Sequence, residues 1–255
     1  VGVSAHRLAG AVARENGVGT IASIDLRHHH PDLEEQTEHC RNREQIDQAN
    51  LIALDREIKA AKQLAQGHGA IAVNVMKAVR QHPALVQQAC ESGADVLVMG
   101  AGLPLDLPEM VADFPKMGLV PILSESRGVA IVMKKWLKKG RCPDAIVIEH
   151  PRLAGGHLGA AKVADLQDPR FDFESVIPQV LAFFKSAGIE REIPLIAAGG
   201  ISSHADILHL QALGAAAVQL GTAFAVTLEC DADPAFKQVL AEAGPQDMVE
   251  FISVA

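Results

Sequence analysis

The chain has 255 residues, the typical size of a single (β/α)8 barrel, and its 49% hydrophobic and 21% charged residues exclude disordered and collagen-like classes. Its 31 acidic against 23 basic residues give a formal charge of −8, which argues against a nucleic-acid partner, because that affinity rests on neutralising phosphates with Lys and Arg. Aromatics make up only 4%, with no Tyr and one Trp, so a base-stacking platform is also disfavoured.

In chain order, Ser4 is predicted to cap a helix carrying Ala5, Leu8, Ala9 and Val12 on one face and stopped by Asn16-Gly17. An apolar run at 18–23 follows. His28-His29-His30 precedes Pro31 and reads as a polar loop, since no nearby carboxylate pattern completes a metal site. Asn50 is the expected cap of the next helix, with Leu51, Leu54, Ile58, Ala61 and Ala65 at helical spacing before Gly67. After a run at 70–76, Pro83 suits a first helical position and Gly93 closes that segment.

Gly100-Ala101-Gly102 follows the run at 96–100, but Leu105 stands where a dinucleotide fingerprint needs its third glycine, and Pro104 interrupts the helix. A Rossmann site is rejected. Beyond the run at 119–124, Lys134, Lys135, Lys138, Lys139 and Arg141 crowd one helix C-terminus, where cations favour the dipole. They read as a solvated helix end and not as a basic docking patch. Runs at 145–149, 195–199 and 217–221 complete the series, and Ser203 with Asp206 forms a capping box between the last two.

Most of these runs are rich in Val, Ile and Leu without polar alternation, as expected for parallel strands covered on both faces. The stretch 93–100 echoes 214–221: helix stop, short turn, buried strand, glycine. With no Pro/Gly/Ser-rich linker, residues 1–255 read as one domain. The fold expected is an α/β (β/α)8 TIM barrel whose visible strands are two to eight, the first lying before Val1 and missing from this chain. A doubly wound open sheet is the competing architecture. Cys40, Cys90, Cys142 and Cys230 are scattered, which fits a reducing cytosol, and no metal site is expected. No apolar run approaches a membrane span, so a cytoplasmic protein without membrane contact is expected.

Barrel function collects at the C-terminal ends of strands, with phosphate often held after strands seven and eight. Here those ends are Ala197-Ala198-Gly199-Gly200-Ile201-Ser202 and Gln219-Leu220-Gly221-Thr222-Ala223-Phe224, whose glycines let backbone N–H groups approach an anion. The Ser203-capped helix is expected to turn its positive end the same way. Their position favours phosphate binding over simple tight turns. On the long segment after 145–149, Ala154-Gly155-Gly156-His157-Leu158-Gly159 sets one imidazole among glycines, where it can serve as base or hydrogen-bond donor. A solvent-exposed loop histidine is the plainer reading, and the sequence leaves both open.

Those three glycine motifs, with Ala72-Val73-Asn74-Val75 at another strand end, together resemble the nitronate monooxygenase family, also called 2-nitropropane dioxygenases. The resemblance runs from Val1 to about Cys230. It implies an FMN-binding barrel with the phosphate on Ala198, Gly199, Gly200, Gly221 and Thr222, and with Asn74, Ser124, Glu149 and Gly156 approaching the flavin ring or ribityl chain. Ser124 stands where some relatives carry Lys. His157 matches the family's active-site histidine. The implied partners are a nitronate or nitroalkane and dioxygen, and the implied reaction gives a carbonyl compound and nitrite. FMN-dependent enoyl-[acyl-carrier-protein] reductases and NAD(P)H:quinone reductases share much of the pattern. A barrel that binds a phosphorylated ligand without turnover is the non-enzymatic alternative.

Overall fold

A computed structural model describes residues 2–156, 159–160, 162–189 and 192–250. In chain order the elements are α1 (His6–Arg14), β1 (Val18–Ala22), α2 (Pro31–Thr37), α3 (Arg43–Ala65), β2 (Ala70–Met76), α4 (His82–Glu91), β3 (Val96–Gly100), α5 (Leu107–Met110), β4 (Gly118–Leu123), α6 (Ser126–Leu137), β5 (Ile146–Glu149), α7 (Phe173–Ser186), β6 (Leu195–Ala198), α8 (His204–Leu213), β7 (Ala217–Gln219), α9 (Thr222–Ala225) and α10 (Pro234–Glu242). Each predicted apolar run is a strand, most trimmed by a residue or two at an end. The chain divides into two compact units, one of residues 1–98, 109–118 and 224–242, the other of 99–108, 119–223 and 243–255.

In the first unit β1 pairs in parallel with β2, Val18 opposite Ala70 and Ala22 opposite Asn74. Helix α1 crosses β1 so closely that a side chain at Gly19 would overlap the backbone of Ala9, which is why a glycine stands there. Asn50 lies buried inside α3 and is not its cap. The helix starts earlier, with the Asn42 side chain accepting the N–H of Glu44. The apolar spacing located the helix, but Asn50 instead serves the turn after β1, its Oδ1 accepting the Arg27 N–H at 3.4 Å. Ser4 is likewise no cap; its hydroxyl donates to the Thr20 carbonyl at 2.6 Å.

In the second unit β4, β5, β6 and β7 pair in parallel, each with the next. β5 is covered by the face of α7 that carries Val176, Ile177, Val180 and Phe184. On α6 the buried face is Val129, Val132, Met133 and Trp136, at i, i+3, i+4 and i+7. The Trp136 indole N–H is satisfied by the Pro104 carbonyl at 2.9 Å. β7 is less covered than its composition predicted: Ala217 is exposed, and α8 buries only Leu210.

The echo noticed in sequence is a repeated hydrogen bond. A residue one or two places before a strand donates its N–H to the start of the preceding strand: Asp95 to Ile71 (2.9 Å), Asp144 to Leu119 (2.9 Å) and Ala216 to Leu195 (2.8 Å). At the first two, the Asp side chain also accepts the N–H of that same earlier residue, at 2.8 and 2.9 Å. This is the parallel βα unit locking its register.

Candidate functional site

The strand register of the second unit sets most of the expected site in one row. Glu149 of β5 lies opposite Ala198 of β6, and Ala198 opposite Gln219 of β7. Leu123 of β4 lies opposite Ile148, so the next residue, Ser124, is level with Glu149. The row is the C-terminal edge of the sheet. Gly199-Gly200 and Leu220-Gly221-Thr222 therefore leave neighbouring strands, which run about 4.8 Å apart.

Gly199 and Gly200 both hold positive φ, +106° and +70°, so the pair turns its backbone in a way that L side chains resist. A Cβ on Gly199 would sit 3.1 Å from the Ala154 nitrogen and 3.3 Å from the His150 oxygen. Around Gly221 there is open space, with nothing within 4 Å of a built Cβ. Among the described residues, no backbone partner takes the N–H groups of Gly199, Gly200, Gly221 or Thr222. These are backbone donors without acceptors among the described residues, at a turn of two glycines with positive φ, a fit for a phosphate.

The capping box at α8 is present as predicted, with a consequence the sequence did not disclose. Asp206 Oδ2 accepts the N–H groups of Ser202 at 3.0 Å and Ser203 at 2.8 Å. The Ser202 amide and its companions hold the Asp206 carboxyl below its ordinary value. Those two N–H groups are spent within the chain, which narrows the expected anion site from the helix end to the glycine loops.

Glu149 is the most perturbed group in this row. Burial pushes its carboxyl up to about 7, and no hydrogen-bond or ion-pair partner for it occurs among the described residues. A buried acid of this kind needs a partner or a proton. A ribityl hydroxyl would supply the partner, so the residues present fit the group that the resemblance implies. Ser124 is buried at the end of β4, and Gly159 approaches it so closely that a methyl group there would overlap the hydroxyl. Gly156 holds φ +91° with open space around it. His157 lies outside the described residues. Asn74 is in the first unit, half-buried near the end of β2, where its carbonyl accepts the Ser23 N–H at 3.2 Å.

Sequence reasoning passed over His150, which directly follows Glu149. It is 7% exposed, its Nδ1 accepts the Arg152 N–H at 3.3 Å, and its Nε2 lies 3.4 Å from Asp172 Oδ1. A histidine immediately after a strand end was the available signal. Sequence reasoning also found no carboxylate for the 28–30 histidines. The fold supplies Glu57, from α3, 2.9 Å from His30 Nε2 and 2.7 Å from His6 Nδ1. Among the described residues no group of three acidic, His or Cys side chains is arranged to hold a metal ion, and no helix is long and apolar enough to cross a membrane.

A model of the nitronate monooxygenase family matches residues 1–254. A probable nitronate monooxygenase of Bacillus subtilis is 28% identical over 96% of this chain and 69% of its own length. One from Staphylococcus haemolyticus is 35% identical over 41% of this chain, a match spanning only 28% of that protein. Among solved structures, FabK from Thermotoga maritima superposes with a TM-score of 0.68 at 22% identity, covering 97% of this chain and 63% of that one. A nitroalkane oxidase from Streptomyces ansochromogenes gives 0.67 at 20% identity, covering 93% and 67%. At such identities the structural likenesses bear on the fold, which is of the TIM-barrel class expected from the sequence.

Proposed function

This chain belongs to the nitronate monooxygenase family, a family of flavin oxidoreductases, and on that premise we propose that it binds FMN and oxidises alkyl nitronates with dioxygen to carbonyl compounds and nitrite. The observation that carries the reading is the row formed by Ser124, Glu149 and Ala198, with two glycine loops leaving adjacent strands beside it. Gly199, Gly200, Gly221 and Thr222 would take the phosphate through backbone N–H groups. Ser124, Glu149 and Gly156 would face the ribityl chain or ring.

FMN is preferred to FAD because one phosphate site is evident and no fingerprint for an adenine half exists. When bound, the flavin supplies the electron transfer between substrate and dioxygen. His157 is assigned to the substrate. A neutral imidazole there takes the α-proton of a neutral nitroalkane, or orients a nitronate that has already lost it.

The test is direct. The purified protein should be yellow, and denaturation should release FMN, identified by chromatography. Anaerobic mixing with a nitronate should bleach the flavin. Bleaching by NADH or NADPH, together with no turnover of nitronates, would replace this reading by the enoyl or quinone reductase one. A colourless protein that neither contains nor takes up flavin would leave only the phosphate-binding barrel.

A further inference from the structure

We propose that His150 is a positioning residue that holds the turn of residues 151–154 against the Gly199–Gly200 loop, so that this turn and the phosphate cradle are set as one piece. The inference rests on the flavin reading above. It concerns how the site is held, since both ring nitrogens of His150 are directed to protein groups, Arg152 N and Asp172 Oδ1.

His150 is the hub of that turn. Its backbone N–H donates to the Ala198 carbonyl at 2.9 Å, and its own carbonyl accepts from Leu153 at 3.1 Å and from Ala154 at 3.0 Å. The ring adds two further ties. Nδ1 accepts the Arg152 N–H at 3.3 Å, which places the ring proton on Nε2, the nitrogen 3.4 Å from Asp172 Oδ1. Asp172 is the N-cap residue of α7 but makes no side-chain cap bond, so its carboxylate is available to the imidazole. Phe173 meets the ring edge-on, 5.5 Å between centroids at 69°. The residue is thus fixed from β6, from its own turn and from the start of α7.

The turn so fixed is in direct contact with the phosphate loop. A built Cβ on Gly199 falls 3.1 Å from Ala154 N and 3.2 Å from Leu153 C, and one on Gly200 falls 2.8 Å from Leu153 Cδ1. A shift of a few tenths of an ångström in residues 153–154 therefore moves the space that Gly199 and Gly200 can occupy. Close packing passes such shifts on without absorbing them. Catalytic geometry tolerates little of this displacement.

Three variants separate the two ring ties. His150→Leu removes both, His150→Asn keeps an acceptor where Nδ1 stands, and His150→Gln keeps a donor that reaches Asp172. Each is measured below its melting temperature for FMN dissociation constant, by quenching of flavin fluorescence, and for kcat and KM with a nitronate. In His150→Leu, FMN should bind about tenfold more weakly, the equivalent of one or two lost hydrogen bonds. Its kcat should fall by a similar factor while the nitronate KM changes less. His150→Asn should recover most of both losses, and Asp172→Leu should reproduce part of them.

Parent-like FMN affinity and kcat in His150→Leu, whatever its melting temperature, would reduce His150 to core filling and overturn the proposal. If His150→Leu does not fold, Asp172→Leu decides, since it removes the Nε2 tie: FMN affinity and kcat equal to the parent's would overturn the proposal equally. A parent protein that binds no FMN at all refutes the functional reading instead, so the two failures are distinct.

Discussion

The carboxylate of Asp231 accepts the backbone N–H of Ala5 at 3.0 Å although 226 positions separate them in the chain. The same side chain accepts from Arg7 and Leu8 at 3.1 Å each, and Glu57 takes the N–H of His6 at 2.7 Å. Four consecutive donors at the start of α1 are thereby satisfied by two acids from distant segments, which also suits the positive end of the helix dipole. Asp231→Ala should lower stability by about 1 kcal/mol, the usual cost of losing a cap. Ser4→Ala should cost less, because Ser4 caps nothing. Urea melts of both variants check the order; a larger loss in Ser4→Ala would show that the local residue is the cap.

Glu57 is 1% exposed between His6 and His30. Burial pushes its carboxyl up, yet the hydrogen bonds and charge of His6 leave it below its ordinary 4.5. The Glu57 hydrogen bond raises His6 above 6.5, while burial lowers His30. The Glu57 contribution is present above pH 4.5 and lost as pH falls through its depressed value. The His6 contribution is present below pH 6.5 and lost as pH rises through its raised one. Glu57→Gln should cost about 3 kcal/mol, with the gap to the parent widest between those two values. A gap that is flat from about pH 4 to 8 would contradict the ion-pair account.

Burial holds a proton on Glu149 up to about pH 7, where the unfolded chain loses it near 4.5. Its contribution to stability is complete below 4.5 and disappears as pH rises through 7. Flavin-free protein should therefore lose melting temperature over that interval, and Glu149→Gln should lose less. Melts of both proteins across the interval, with the same slope, would show that Glu149 is not the buried acid responsible.

Gly200→Asp should empty the flavin site, because it adds a carboxylate beside the phosphate at a residue whose φ is +70°. Gly221→Ala is the contrast: it adds no charge and its methyl group meets no protein atom within 4 Å, so it should lower flavin content less. Flavin content of the two purified variants is the measurement. Full occupancy in Gly200→Asp would misplace the phosphate.

His157→Asn should cripple turnover of neutral nitroalkanes by about 10²–10⁴-fold and turnover of nitronates by much less, with FMN still bound. Equal losses on both forms would assign His157 an orienting role, and no loss on either would remove it from the site.

The sequence by itself determined the elements that depend on local pattern. Runs such as 70–76 and 96–100 are strands to the residue, because Val- and Ile-rich segments covered on both faces have no other stable arrangement. The capping box of Ser203 and Asp206 is equally local, a matter of three residues. Ser124, Glu149, Ala198, Gly199, Gly200 and Gly221 were legible as strand-end residues for the same reason. What tertiary structure alone decided is the partner of each polar group. Asp231 displaced Ser4 as the cap of α1, Asn42 took the position expected of Asn50, and Glu57 found two histidines. His150 became the hub of a turn. Apolar burial is non-directional and repeats with the backbone period, so it can be read along the chain. A hydrogen bond needs one particular atom within about 3 Å, and which atom that is depends on how distant segments come together.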